Sequence, residues 1–175
     1  EKLRKDMDLH GLHVLLAEDN DLNAEIAIAL LEEQGMIVTR AADGKSALTQ
    51  FCNTAPGTFD LILMDIMMPE MNGYETTKAI RNLSDRPDGK KIPIIAMTAN
   101  AFAEDVQAAL NAGMDDHVAK PIDMEILISV ITKCSYVDAT GMSPKVLRTD
   151  MGHADMSVTM ETDVLKKVQR KPLVK

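Results

Sequence analysis

Glu18-Asp19, Asp65, Thr98 and Lys120-Pro121 lie far apart along the chain, yet their side chains make chemical sense as one group. Three carboxylates gathered at one place repel each other. Proteins use such a cluster either to raise a pKa for acid–base work or to hold a hard cation. A lysine charge and a hydroxyl donor facing the cluster suit phosphoryl oxygens, with a metal on the other flank. An aspartate in that setting can act as a nucleophile for phosphoryl transfer and become an acyl phosphate. Such a reaction needs mainly positioning and charge neutralisation. Singly, each residue has a plainer role. Asp65 alone would be a turn or cap residue, and Glu18-Asp19 alone would start a helix. Thr98 alone would be a strand-end hydroxyl and Lys120 alone a surface charge. Only the set argues for chemistry.

The set has to be assembled by the elements that carry it. Apolar segments at His13 to Ala17, Met36 to Ala41, Phe59 to Met64, Ile92 to Met97 and Asp116 to Ala119 read as strands. Amphipathic stretches between them read as helices. The first, Asn20 to Gln34, places Leu22, Ile26, Ala29 and Leu30 on one face, and Gly35 stops it. The others run from Asp43 to about Cys52, Tyr74 to about Leu83, Ala101 to Ala112 (stopped by Gly113) and Ile122 to about Cys134. Asn53 to Thr58 and Ser84 to Lys91 read as loops. Near-continuous apolar strands alternating with helices predict a parallel sheet buried on both faces. Right-handed crossovers put every strand's carboxyl end on one edge, where open α/β folds place their sites. Glu18, Asp19, Asp65, Thr98 and Lys120 all follow strands, so all fall on that edge.

Bulk properties agree with a domain of ordinary size plus an extension: 175 residues, 46% hydrophobic and 26% charged. No apolar run approaches the roughly 18 residues that a membrane span requires. The chain opens at Glu1, without a signal peptide, and reads as a piece of something longer. Residues 1–135 carry 12 basic against 22 acidic side chains, and residues 136–175 carry 7 against 5. The acidic body argues against binding nucleic-acid phosphates and is compatible with a divalent cation. Cys52 and Cys134 lack metal-ligand spacing and read as free thiols of a reducing cytoplasm. The 13 methionines read as core filling.

Leu15-Leu16-Ala17-Glu18-Asp19-Asn20, Asp65-Ile66-Met67-Met68-Pro69-Glu70-Met71-Asn72-Gly73, Met97-Thr98-Ala99 and Lys120-Pro121 resemble the signature of the receiver domains of two-component signalling systems. The match runs over about residues 12–134 with no element missing. It implies a flavodoxin-like, doubly wound five-stranded parallel sheet in the order 2-1-3-4-5 with five helices; that order is a property of the family, which the strand pattern alone does not dictate. The resemblance further implies a phosphoacceptor at Asp65 and a Mg²⁺ site, also open to Mn²⁺, formed by Asp19, Asp65, the Met67 backbone carbonyl and, through water, Glu18. Lys120 would pair with Asp65 at rest and with the phosphoryl group afterwards. Thr98 would turn inward onto a phosphoryl oxygen, a movement read by His117, where the family usually has Tyr or Phe. Lys120-Pro121 would be a cis peptide. Met67 and Asn100 would flank the water that hydrolyses the phosphoryl group.

The implied function is phosphorelay signalling: a phosphoryl group accepted from a phosphohistidine or small donor, then a conformational switch or onward relay. The donor would be a cognate histidine kinase or a histidine-phosphotransfer protein. Asn20 and Asn23 after the acidic pair resemble receivers fused to hybrid sensor histidine kinases. The expected organisation is a linker at 1–10, the receiver at 11–135 and a tail at 136–175, partly helical or disordered. A monomer or weak dimer in the cytoplasm is expected, with no membrane or nucleic-acid contact. No glycine-rich ATP-binding element is present, so the chain does not draw phosphate from ATP itself. Two other readings compete. One is a constitutive interaction module, against which all five site residues argue. The other is an aspartate-nucleophile phosphatase, which would need a second Asp where Met67 stands.

Overall fold

Side chains that are apolar at every position of a strand need cover on both faces, and the chain builds that cover. The computed structural model describes residues 8–100 and 102–140. Along it run β1 (His13–Ala17), α1 (Asp21–Glu33), β2 (Ile37–Ala41), α2 (Gly44–Asn53), β3 (Leu61–Asp65), α3 (Gly73–Arg81), α4 (Asp88–Lys91), β4 (Ile94–Thr98), α5 (Ala103–Ala112), β5 (Asp116–Ala119) and α6 (Met124–Thr140). The strands form one parallel sheet in the order β2-β1-β3-β4-β5. Alternate residues divide between two cores. Leu15, Ile62, Met64 and Ile94 pack with Phe51 of α2, Ile80 of α3 and Ala109 of α5. Leu16, Leu63, Ile95 and Met97 pack with Ala24, Ala27 and Leu31 of α1 and with Leu127 and Ile131 of α6. Period-two alternation thus serves two buried faces at once.

Polar side chains pin the helix starts and the loops. Asn20 accepts from Asn23 N at 2.9 Å to cap α1, Asp43 accepts from Ser46 N at 2.7 Å to cap α2, and Asn72 with Glu75 forms a capping box on α3. Gly113, at φ 106°, ends α5 in the left-handed conformation expected of it. At the sheet edge away from the strand carboxyl ends, the Arg81 guanidinium donates to the carbonyls of Gly113, Gly89 and Ile92 and to buried Asp115 at 2.9 Å. That one side chain ties α3 to α4, to the approach of β4 and to the α5–β5 turn. Cys52 is exposed and Cys134 is buried, and no disulfide joins them.

The structure corrects the sequence reading in several places. Most of the face of α1 expected to be inward points outward: Leu22 and Ile26 are 64% and 50% exposed and Ala29 is exposed, while Leu30 is half-buried. Helical periodicity supports two stripes on α1. The one with alanines wins because small residues let the helix approach the sheet closely. Ser84 to Lys91 is not all loop. Its last four residues form α4, which makes six helices among the described residues where five were expected. Buried Arg86 organises that segment by bridging both Asp88 oxygens, donating to the Phe51 and Thr54 carbonyls and lying over the Phe51 ring. The last helix runs beyond Cys134, where it was expected to end, to Thr140; no glycine or proline interrupts it before Gly141. β3 and β4 lie two residues later at their starts than expected and end on Asp65 and Thr98 themselves. The expected tail beyond Thr140 and the linker at 1–7 lie outside the described residues.

Candidate functional site

The strand ends deliver the site. Asp65 and Thr98 are the last residues of β3 and β4, in register with Met97 and Ala119 respectively, so the ladder fixes their backbones. Glu18 continues the β1 ladder, its N–H donating to the Ala41 carbonyl at 3.1 Å. Asp19 follows it into solvent. Lys120 N donates to the Thr98 carbonyl at 2.8 Å, and the Lys120–Pro121 peptide is cis. Behind Asp65 the chain doubles back so tightly that Gly73 N bonds the Ile66 carbonyl at 2.9 Å. Any Cβ on Gly73 would overlap the Asp65 carbonyl, so only glycine allows α3 to start there.

One carboxylate oxygen from each of Glu18, Asp19 and Asp65 lies within 4.8 Å of the others. Lys120 Nζ stands 2.7 Å from Glu18 Oε2 and 3.1 Å from Asp65 Oδ2, so it bridges two carboxylates rather than pairing with Asp65 alone. Burial pushes the Asp65 carboxyl up, the Glu18 charge adds to that push and Lys120 pulls back, leaving a pKa of about 6. Burial works against the Lys120 ammonium, but its bond to Glu18 and the charges of Asp65 and Glu18 outweigh this and raise its pKa. One lysine against three carboxylates leaves excess negative charge in a cluster with only oxygen donors. That donor set fits a hard divalent cation. Met67 N–H donates to Asp65 Oδ1 at 3.3 Å, which orients this carboxylate.

The remaining expected residues surround this centre. The Thr98 hydroxyl is turned into its own loop, donating to the Asn100 carbonyl and accepting from Asn100 N at 3.0 Å. His117 is half-buried on β5, with Nδ1 3.5 Å from Asp116 Oδ1. Met67 is 78% exposed and Asn100 is also exposed, so neither covers Asp65 with packed bulk. A small hollow of about 60 Å³ adjoins the cluster, lined by Glu18, Asn23, Ile26, Met97, Lys120 and Pro121. A larger one, about 330 Å³, lies at the opposite edge around Lys78, Arg81 and Lys90, away from every carboxylate of the site.

The family model for the response regulator receiver domain matches residues 14–132. The chain belongs to that family. Phosphoryl acceptance on an aspartate is the family's function, and this receiver is a signalling module of two-component phosphorelays. Its sequence is 41% identical over 128 residues to the aerobic respiration control sensor protein ArcB of Escherichia coli (strain K12), covering 73% of this chain and 16% of that protein. It is 40% identical over 137 residues to hybrid signal transduction histidine kinase I of Dictyostelium discoideum, covering 76% of this chain and 8% of that protein. The receiver therefore spans only a small part of these relatives. Among solved structures, the receiver domain of sensor histidine kinase PA1611 from Pseudomonas aeruginosa PAO1 is similar with a TM-score of 0.63 and 37% identity, over 70% of this chain and 96% of that one. That neighbour has a magnesium ion coordinated in its active site cleft. Among the described residues no helix is long and apolar enough to cross a membrane.

Glu18, Asp19, Asp65, Thr98 and Lys120 thus stand together at one edge of the receiver. Sequence reasoning passed over Arg40, whose guanidinium reaches the loop holding Glu18 and Asp19. An arginine near the end of an edge strand carries no signature that would have singled it out.

Proposed function

We propose that Asp65 is the phosphoacceptor of this receiver and that Glu18, Asp19, Asp65 and the Met67 carbonyl hold Mg²⁺, with Mn²⁺ able to replace it. The observation that carries the reading is the convergence of three carboxylates with Lys120 bridging Glu18 and Asp65. A bound divalent ion would neutralise charge shared by the carboxylates and the phosphoryl oxygens. The chain's own residues do the rest. With a pKa of about 6, Asp65 is largely ionised at neutral pH. Its lone pair forms the O–P bond to the phosphorus of a phosphohistidine while the P–N bond breaks. The electron pair stays on the imidazole, which leaves neutral once its other nitrogen holds a proton. Lys120 is placed to exchange a carboxylate oxygen for a phosphoryl oxygen. Thr98 would leave Asn100 for another phosphoryl oxygen, and His117 would follow the space it vacates. The differential contact at Thr98 is what shifts the conformational equilibrium.

Relatives that are hybrid kinases support placing this receiver in such a protein, served by a histidine kinase or a histidine-phosphotransfer protein in the cytoplasm. The reaction is stoichiometric modification, not turnover on an external substrate. A monomer or weak dimer fits this role, and the acidic body disfavours nucleic acid. Incubation with acetyl phosphate and Mg²⁺ should add one phosphoryl group by intact mass, and none to Asp65→Asn. Asp19→Asn should lose metal binding and phosphorylation together. An Asp19→Asn protein that takes up phosphate at the native rate would overturn the metal assignment.

A further inference from the structure

We propose that Arg40 is a positioning residue for the cation site, acting on the backbone that carries Glu18 and Asp19. This rests on the metal reading above. Arg40 lies on edge strand β2, in register with Leu16 of β1, one position before the residue pair from which Glu18 departs. Its backbone carbonyl is held from α2 by Gln50 Nε2 at 3.1 Å, so the strand beneath it is anchored. From there the guanidinium reaches over the end of β1. Nε and Nη2 donate to the Glu18 carbonyl at 3.2 and 3.0 Å, and Nη2 reaches the Asp19 carbonyl at 3.4 Å and Asp21 Oδ1 at 2.8 Å.

These contacts grip two successive peptide carbonyls, those of the two acidic residues that open the site. Fixing a carbonyl fixes its peptide plane, and with it the direction in which the attached Cα–Cβ bond leaves the chain. The grip complements two other constraints on the loop: the Glu18 N–H on the Ala41 carbonyl, and Asn20 N on Glu18 Oε1 at 3.1 Å. The Asp21 ion pair adds little by itself, because Asp21 is 86% exposed. A planar fork with several donors suits this task. Lysine, with a single nitrogen, cannot span both carbonyls and Asp21.

Arg40 exerts two effects of opposite sign on a divalent ion. Its positive charge disfavours a second cation nearby, whereas ordering Glu18 and Asp19 favours one. The number of backbone contacts argues that ordering dominates, so removal should weaken binding, by about tenfold as for other residues that orient metal ligands. The experiment is calorimetric titration of Mg²⁺ into native protein, Arg40→Ala and Arg40→Lys, at a temperature where circular dichroism shows each folded. Both variants should bind about tenfold more weakly. At saturating Mg²⁺ their rate with acetyl phosphate should return to native, because Arg40 touches neither Asp65 nor Lys120. Equal or tighter binding by Arg40→Ala, native affinity in Arg40→Lys, or a reduced limiting rate at unchanged affinity would each overturn the proposal. Native protein that binds no Mg²⁺ would instead overturn the metal reading on which it stands.

Discussion

At neutral pH Asp65 is ionised against the preference that its burial imposes. Its folded pKa of about 6 lies above the ordinary 3.8, so between those values the folded state holds a proton that the unfolded chain has released. The stability this lends is fully present below pH 3.8 and is lost as pH rises through about 6. Asp65→Asn keeps the shape and removes the charge, and Lys120 keeps Glu18 as a partner. At pH 7 that variant should be more stable by about 1 kcal/mol, with little difference below pH 4. Urea unfolding at both pH values checks it, and a variant less stable at pH 7 would contradict the assignment. Because a cation needs the ionised carboxylate, Mg²⁺ affinity should fall as pH drops below about 6. Met67 and Asn100 set a second expectation. A thioether cannot orient water and an amide is no base at neutral pH, so the acyl phosphate should be long-lived. Met67→Glu should shorten its life several-fold by admitting and orienting water. Decay in Mg²⁺ buffer without kinase measures this; loss within seconds in the native protein, or an unchanged rate in the variant, would refute it.

At the scale of elements, α1 carries a division of labour that its periodicity concealed. Ala24 and Ala27 meet the sheet, leaving Leu22 and Ile26 in water, Ile26 at the hollow that borders Glu18 and Lys120. With Asp65 as the proposed phosphoacceptor, exposed apolar side chains on this helix suit contact with a protein that presents a phosphohistidine. Leu22→Ser with Ile26→Ser should therefore slow transfer from a histidine-bearing donor by about tenfold, the effect of losing about 1.4 kcal/mol of contact. Acetyl phosphate, which needs no docking, should react at the native rate. A parallel loss with both donors would mean that the substitutions had damaged the site or the fold. β3 and β4 make a related point: because they end on Asp65 and Thr98, both site residues inherit the rigidity of central strands.

Across the whole molecule, two cores share one sheet, and each helix layer is needed to close its face. α6 contributes Leu127, Ile131 and Cys134 to the core that also holds α1. A chain ending after Thr140 keeps this packing and every site residue. It should bind Mg²⁺ and take up phosphoryl from acetyl phosphate as the full chain does, with melting by circular dichroism shifted by no more than a few degrees. Loss of folding would show that residues beyond 140 belong to the domain.

The parallel sheet and the gathering of Glu18, Asp19, Asp65, Thr98 and Lys120 at one edge were legible in the sequence, because apolar strands buried on both faces admit few architectures and their carboxyl ends must share an edge. Asp65, Thr98 and Lys120 could be placed at that edge because each falls at the carboxyl end of a parallel strand. Tertiary structure decided what depends on distance rather than period. It chose the alanine stripe of α1 over the leucine stripe, since close packing against a sheet rewards small side chains. It turned Lys120 onto Glu18 as well as Asp65, a choice made by excess negative charge that no motif encodes. It drew the Ser84–Lys91 segment around buried Arg86 and brought Arg40 across from a neighbouring strand. Such contacts join residues distant in the chain through side-chain reach, and that reach is defined only once the backbones stand in place.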